Sequence, residues 1–281
     1  MTHPVKGIDH VYILTADLDR AAADWAALGF TVTPRGFHSA HKGTANHTMM
    51  LQDDYIELLG ILSPQPANED QRVRLEAGEG LHAIACKIDD AAGAVADLAE
   101  LGIAAGPAGD FERPVDLPGG AKGVAAFSTA AFGDDEIPQG IVFMCQHRTR
   151  ETVWVPEWMS HANGATAIAA VVVVADDPAP VAERFARLWA AGRATPCDGG
   201  IRVETGTAPV LVLTPAGAAS RYPGIDLATT PSNGFAALEL VAEMAKAEAA
   251  LGPRAVTVPG GLAVAPAQAT GTVLVFRDAR C

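Results

Sequence analysis

The sequence has no closely spaced pair of cysteines. Cys86, Cys145, Cys197 and Cys281 lie far apart. That argues against a CxxC zinc knuckle or a disulfide scaffold and fits reduced thiols in a cytoplasm. Nor is there an apolar run long enough to cross a bilayer. The longest, AIAAVVVVA from Ala167 to Ala175, reads as a buried strand. The opening MTHPVKGIDH lacks an apolar core followed by a small-residue cleavage site, so no signal peptide is expected. Positive charge is scarce: 20 Lys and Arg stand against 33 Asp and Glu, a formal net charge of -13. Such a surface argues against nucleic acid or an anionic membrane as partner; it says nothing about a small-molecule substrate, the partner expected here, whose site has its own local field.

What is present is a soluble globular composition, 49% hydrophobic and 19% charged over 281 residues, enough for one large domain or two ordinary ones. The chain repeats itself. HVYILTADLDRAAADWAALGFTV reads as a strand, a helix capped by Asp17 or Asp19, a terminating Gly29 and a new strand. HAIACKIDDAAGAVADLAELGIAA has the same order, with Asp89 or Asp90 at the cap and Gly102 at the end. Weaker copies begin at AAVVVVADDPAPVAERFARLWAAG and GFAALELVAEMAKAEAALGPRAV. Strand-like text follows each helix, including FTVTPRG, ANHTMMLQ and YIELLGIL in the first unit, and GVAAFSTAAF and GIVFMCQH in the second. The expected architecture is therefore α+β, built from repeated βαβββ units that pair into two curved mixed sheets. The stretch Val153 to Ala165, with two Trp, a Pro and an Asn-Gly turn, marks the boundary between residues 5–160 and 161–281.

Histidines open both units of the first half. Alternation along GIDHVYIL puts Ile8, His10, Tyr12 and Leu14 on one face and Asp9, Val11 and Ile13 on the other. His82 takes the matching place in the second unit. Glu57, in DDYIELLGI, is a carboxylate inside an apolar strand, costly unless paired or metal-bound. If the two first strands meet across one cavity, His10, His82 and Glu57 converge there. Two imidazoles and a carboxylate suit one divalent Zn, Ni, Mn, Co or Fe ion with open positions for substrate. Gln146 or His147 is the nearest polar residue to the place in unit two where unit one has Glu57. Tyr12 shares the His10 face, and with Asn46 and Gln146 is expected to contact substrate. His38, His41 and Lys42 are expected on an exposed polar hairpin, and Trp154 and Trp158 at the boundary between halves. Ala170, Ala236 and Leu211 stand where ligands would be in the second half, which is therefore expected to hold no metal.

The segments IDHVYIL, LGFTVTPRG, GTANHTMML, DYIELLGI and CQHRTRETVWVPEWMSHANGA resemble the vicinal oxygen chelate superfamily, which includes glyoxalase I, and within it the glyoxalase-like domain branch. The resemblance implies a curved eight-stranded sheet around a metal cavity, with ligands from the first and last strand of each unit. It assigns His10, Glu57 and His82 as ligands, with His147 as a weaker fourth and Glu57 as the catalytic base. The glutamate that glyoxalase I has at the fourth position is missing here. The implied activity is metal-dependent lyase, isomerase or epimerase chemistry through an enolate. The alternatives are an extradiol-type Fe(II) dioxygenase and a metal-free small-molecule binding protein. The paired halves fit a monomer or a homodimer.

Overall fold

The computed structural model describes residues 2–278, and Cys281 lies outside them. Two eight-stranded mixed sheets follow one another along the chain. The first unit runs β1 (Ile8–Thr15), α1 (Leu18–Ala27), β2 (Gly36–Phe37), β3 (Thr44–Met50) and β4 (Tyr55–Ile61). After a linking helix α2 (Glu69–Ala77), the second runs β5 (Gly80–Lys87), α3 (Ala91–Glu100), β6 (Gly109–Asp116), β7 (Lys122–Ala131) and β8 (Ile141–His147). They share a sheet of order β2-β3-β4-β1-β5-β8-β7-β6. The second half repeats this with β9 (Ala165–Val174), α4 (Pro178–Arg187), β10 (Arg193–Cys197), β11 (Gly200–Glu204) and β12 (Val210–Leu213). After α5 (Pro215–Arg221) come β13 (Gly234–Ala242), α6 (Met244–Leu251), β14 (Val256–Val258), β15 (Gly261–Val264) and β16 (Val273–Asp278). Its sheet has the same order of elements.

The helices start where side chains can satisfy their free N–H groups. Asp17 accepts from the Arg20 amide, Asp90 from Ala92 and Asp177 from Ala179. Leu18, Ala21 and Trp25 form the buried stripe of α1. Gly29 ends it with φ +88, and a Cβ there would fall 2.8 Å from the Cβ of Ala250 in the second half. Trp25 donates to the Thr270 hydroxyl, and one apolar core joins the helical faces of both sheets.

Two strands differ from the sequence reading. FTVTPRG is not a strand along its length; only Gly36 of it pairs in β2, although the Thr33 amide bonds the Thr48 carbonyl. Pro34 has no amide proton to offer a ladder there. Conversely β6, which carries Pro114 and four charged residues, is a strand without a strand-like sequence. It lies at the sheet edge, where proline and charge are tolerated.

Both first strands of the first half carry a bulge. Ile8 pairs with Cys86 and His10 with Ala85, so Asp9 is an extra residue; Tyr12 pairs with Ala83 and Ile13 with Leu81, so His82 is another. The bulge places Ile8 in the interhelical core rather than on the face of His10 and Tyr12, correcting the simple alternation. It also corrects the repeat. The pairing makes Asp9 equivalent to His82, His10 to Ala83 and Tyr12 to Ala85. Glu57, beside Tyr12, is then equivalent to Phe143, beside Ala85. In the second half Ala170 pairs with Glu239 as His10 does with Ala85, and Ala236 is a bulge residue like His82. The concave face there is filled by Ala170, Val172, Leu211, Tyr222, Ala237 and Val275.

Candidate active site

The concave face of the first sheet encloses a cavity of about 370 Å³. β1 supplies His10 and Tyr12, β3 supplies Asn46, and β4 supplies Tyr55 and Glu57. Phe111 and Arg113 come from β6 and Phe143 from β8. The chain between β2 and β3 folds inward and adds His38 and Lys42.

His10 is held from behind. Its Nδ1 lies 2.7 Å from Asp9 Oδ1, and the same oxygen receives His147 Nε2 at 2.9 Å. All three side chains are buried, at 2% exposure for Asp9, 4% for His10 and 6% for His147. Burial pushes the Asp9 carboxyl up, but the hydrogen bonds from the two imidazoles outweigh it and hold the group well below the usual carboxylate range. An ionised carboxylate only accepts, so Nδ1 of His10 carries a proton and Nε2 is left for the cavity. The ring stacks on Tyr55 with centroids 4.2 Å apart. His147 is enclosed by Tyr55, Phe127 and Trp154. Trp154 thus packs behind the site.

Glu57 stands at the centre. Its Oε1 accepts from Asn46 Nδ2 at 2.7 Å, and Oε2 lies 3.8 Å from His10 Nε2. On the other side His38 Nε2 approaches Oε1 to 3.9 Å, while its Nδ1 bonds the Thr44 hydroxyl at 2.7 Å. Burial pushes the His38 pKa down to about 4, which keeps its ring neutral near pH 7. Tyr12 Oη and Asn46 Oδ1 are buried without a hydrogen-bond partner among the described residues. Burial raises the Tyr12 hydroxyl pKa, so it remains a donor.

Not every expected residue converges here. His82 does not face His10: its Nε2 bonds the Gly78 carbonyl at 3.0 Å. Gln146 turns away to accept from the Ala91 amide at the start of α3. His147 reaches the site only through Asp9. The two ligand positions the resemblance implies for the second unit are occupied by Ala83 and Phe143, neither of which can bind a metal. The polar hairpin expected to be exposed instead puts His38 and Lys42 into the cavity lining, and Asp9 and Arg113 join the site without a signal in the sequence pattern. Of the hairpin histidines only His41 is exposed, although it too borders the cavity.

Two donor sets share His10. Asp9, His10, Cys145 and His147 have ligand atoms within 4.8 Å of one another and form a candidate metal-binding group. One nitrogen of each imidazole is bonded to Asp9, while His147 Nδ1 is buried without a partner among the described residues, and burial raises the Cys145 thiol well above its ordinary pKa, away from the thiolate a metal needs. The cavity set is His10 Nε2, Glu57 and His38 Nε2. These nitrogens point at opposite oxygens of one carboxylate, and Oε2 has no hydrogen-bond donor. With Asp9 behind His10, this is the carboxylate–histidine support that metal-binding imidazoles use. Among the described residues the group whose ligand atoms all lie within 4.8 Å of one another is the first; the cavity set is looser, spread around Glu57.

The fold recurs in a hypothetical protein from Staphylococcus aureus, with a TM-score of 0.69 at 13% identity over 96% of this chain and 98% of its own. It recurs in a mutant 4-hydroxymandelate synthase from Streptomyces coelicolor, with a TM-score of 0.60 at 14% identity over 97% and 92%. A methylmalonyl-CoA epimerase from Mycobacterium tuberculosis matches at 17% identity over 52% of this chain and 91% of its own, with a TM-score of 0.38. No curated protein matches the sequence significantly. The model of the family described as glyoxalase-like domain matches residues 8–189, from β1 to just beyond α4. With that match over well more than half of its length, the chain belongs to the glyoxalase-like domain family.

Proposed function

We propose that the protein is a metal-dependent enzyme of lyase or isomerase type that acts on a small oxygenated molecule in the cavity over Glu57. One observation carries the reading: two imidazole nitrogens, one braced by a buried carboxylate, flank the two oxygens of Glu57 at 3.8 and 3.9 Å. His10, Glu57 and His38 would hold the ion, with His38 taking the part first expected of His82. An ion held there would supply Lewis-acid polarisation of a substrate carbonyl oxygen, easing loss of a neighbouring proton.

The chain's own groups supply the rest. Asp9 fixes the tautomer and direction of His10. The Tyr12 hydroxyl, without a partner in the cavity wall, can donate to a substrate oxygen. Asn46 occupies Oε1 of Glu57 and leaves Oε2 free either to hold the ion or, when released from it, to take a proton. Tyr55, Phe111 and Phe143 exclude water from the reacting atoms.

Elemental analysis of protein purified without chelator tests this. Stoichiometric metal is expected in the wild type and loss of it in His10→Ala, His38→Ala and Glu57→Gln. A wild type that holds no metal even after reconstitution, and binds small molecules unaltered by His10→Ala, would be a binding protein instead. The same two imidazoles and carboxylate also suit an Fe(II) oxygenase. Oxygen uptake by the iron-loaded protein with a catechol would favour that chemistry over the enolate route.

A further inference from the structure

The cavity holds more positive charge than its own residues balance. Arg113, on β6, lines the cavity and forms no hydrogen bond or ion pair among the described residues. Lys42 sits with its ammonium 3.4 Å from the centroid of the Phe111 ring and likewise forms no ion pair. Both belong to segments that close over the sheet from opposite edges, one beside β2 and one on β6. The carboxylate among the cavity residues is Glu57, already engaged by Asn46 and flanked by His10 and His38. A half-buried cation without an ion-pair partner is costly, and partial burial depresses the pKa of both groups. A local device keeps the guanidinium where it is. Gly36 of β2 has no side chain, and a Cβ there would fall 2.4 Å from Arg113 Nη1 and 2.5 Å from Asn46 Oδ1. The space is open only because residue 36 is glycine.

We propose that Arg113 and Lys42 form an anion subsite that takes the carboxylate of an organic acid, whose apolar body lies against the aromatic walls and whose reacting end faces Glu57 and His10. This names the substrate class for the activity proposed above and rests on that reading for the reacting end alone. A planar guanidinium matches a carboxylate in two parallel hydrogen bonds, and Lys42 adds a point charge.

The test compares two probes of nearly equal shape, phenylacetate and its uncharged amide phenylacetamide, by calorimetric titration of the whole chain at fixed ionic strength. The wild type should bind phenylacetate at least ~10-fold more tightly, because a charge-assisted pair in a partly buried site is worth that much. Arg113→Met should lose about 10- to 100-fold in phenylacetate affinity and leave phenylacetamide unchanged. Gly36→Ala, which keeps every charge, should weaken phenylacetate by crowding the guanidinium; circular dichroism confirms that each variant is folded. Inorganic phosphate serves as a third probe and should compete weakly. A wild type that binds neither probe, or both equally, overturns the proposal. So does a folded Arg113→Met that binds phenylacetate as tightly as the wild type, or phosphate binding as tight as that of the carboxylate. Parallel titrations of chelator-treated protein separate this from the metal reading. Carboxylate preference without metal uptake leaves the subsite standing and sinks the metal, and metal uptake without preference does the reverse.

Discussion

Replacing Asp9 by Asn should separate the support of the metal site from the site itself. The native carboxylate accepts from two imidazoles through one oxygen, at 2.7 and 2.9 Å, with 2% of its side chain exposed. Hydrogen bonds to a charged group contribute about 1.5–3 kcal/mol each, against roughly 1 kcal/mol for neutral ones. Asn keeps the shape and one neutral acceptor but brings an NH2 that competes for the same space. The net loss should be ~2–4 kcal/mol of stability, or a fall of ~3–7 °C in Tm for a chain of this size. The functional consequence is distinct. Without an anionic partner at Nδ1, His10 can turn or place its proton on Nε2, and metal affinity should fall ~10- to 100-fold.

Calorimetry of unfolding and titration with Zn or Ni measure the two quantities on the same samples. His147→Phe is the informative companion. It removes one of the two bonds to Asp9 while leaving His10 supported, so stability should drop and metal affinity should stay near the wild-type value. If the ion instead occupied the group of Asp9, His10, Cys145 and His147, then His147→Phe would cost as much affinity as Asp9→Asn. A folded Asp9→Asn protein with unchanged metal affinity would refute the supporting role outright.

Three further outcomes follow from the same geometry. His82→Ala should leave metal binding untouched and cost at most ~1 kcal/mol of stability by calorimetry, since its visible role is a bond to the Gly78 carbonyl; loss of metal would return His82 to the site. Asp54, whose two oxygens accept from the Ile168 amide of the second half at 3.1 Å, has its carboxyl pushed up by burial from 3.8 to about 7. Its folded pKa lies above its unfolded one, so its contribution is full below pH 3.8 and is lost as pH rises toward 7. Asp54→Asn should therefore gain on the wild type across that window, by up to ~4 kcal/mol at 1.36 kcal/mol per pH unit, and hold the gain above it; stability curves that run parallel from pH 4 to 8 would contradict the assignment. Glu239, bonded by Arg221, Arg277 and Tyr222, should cost ~3–5 kcal/mol when changed to Gln because two guanidinium groups lose their anion. Metal content should not change, because that cluster lies in the other half.

Much of the scaffold could be read from local chemistry, and the site could be read only in part, for a physical reason. Asp17, Asp90 and Asp177 cap their helices through bonds that span two or three residues, and Gly29 and Gly102 end theirs with positive φ. Such signals are contained in a few consecutive letters. A bulge is not, because the extra residue is defined by the strand it faces, and that partner lies far along the chain. Counting by twos from Leu14 puts Asp9 on the opposite face from His10. Matching histidine to histidine then sets His82 against His10, where the sheet pairs equivalent positions one residue later. The inward fold of the segment between β2 and β3 was hidden for a similar reason. Nothing in HSAHKG says that His38 is buried, since what buries it is Glu57 on one side and Phe111 on the other.

The bulge at Asp9 also has a chemical consequence that a regular strand could not supply. In an even pleat, neighbouring side chains point to opposite faces, so a carboxylate cannot brace the imidazole next to it. One extra residue lets Asp9 and His10 lie on the same side and meet at 2.7 Å. The equivalent bulge in β5 places His82 against the Gly78 carbonyl and Ala83 in the cavity wall. The two halves of the pseudo-symmetric sheet thus use the same backbone irregularity differently. In one it lets Asp9 brace His10, whose Nε2 lies 3.8 Å from Glu57, and in the other it clears the opposite wall. The cavity is consequently polar on the β1 and β4 side and apolar around Ala83, Ile141 and Phe143. For an acid of the proposed class, Arg113 and Lys42 would supply the anion partners, Glu57 the proton acceptor on one wall, and the other wall hydrocarbon. On the proposed reading, that asymmetry would set which face of the acid is presented to Glu57.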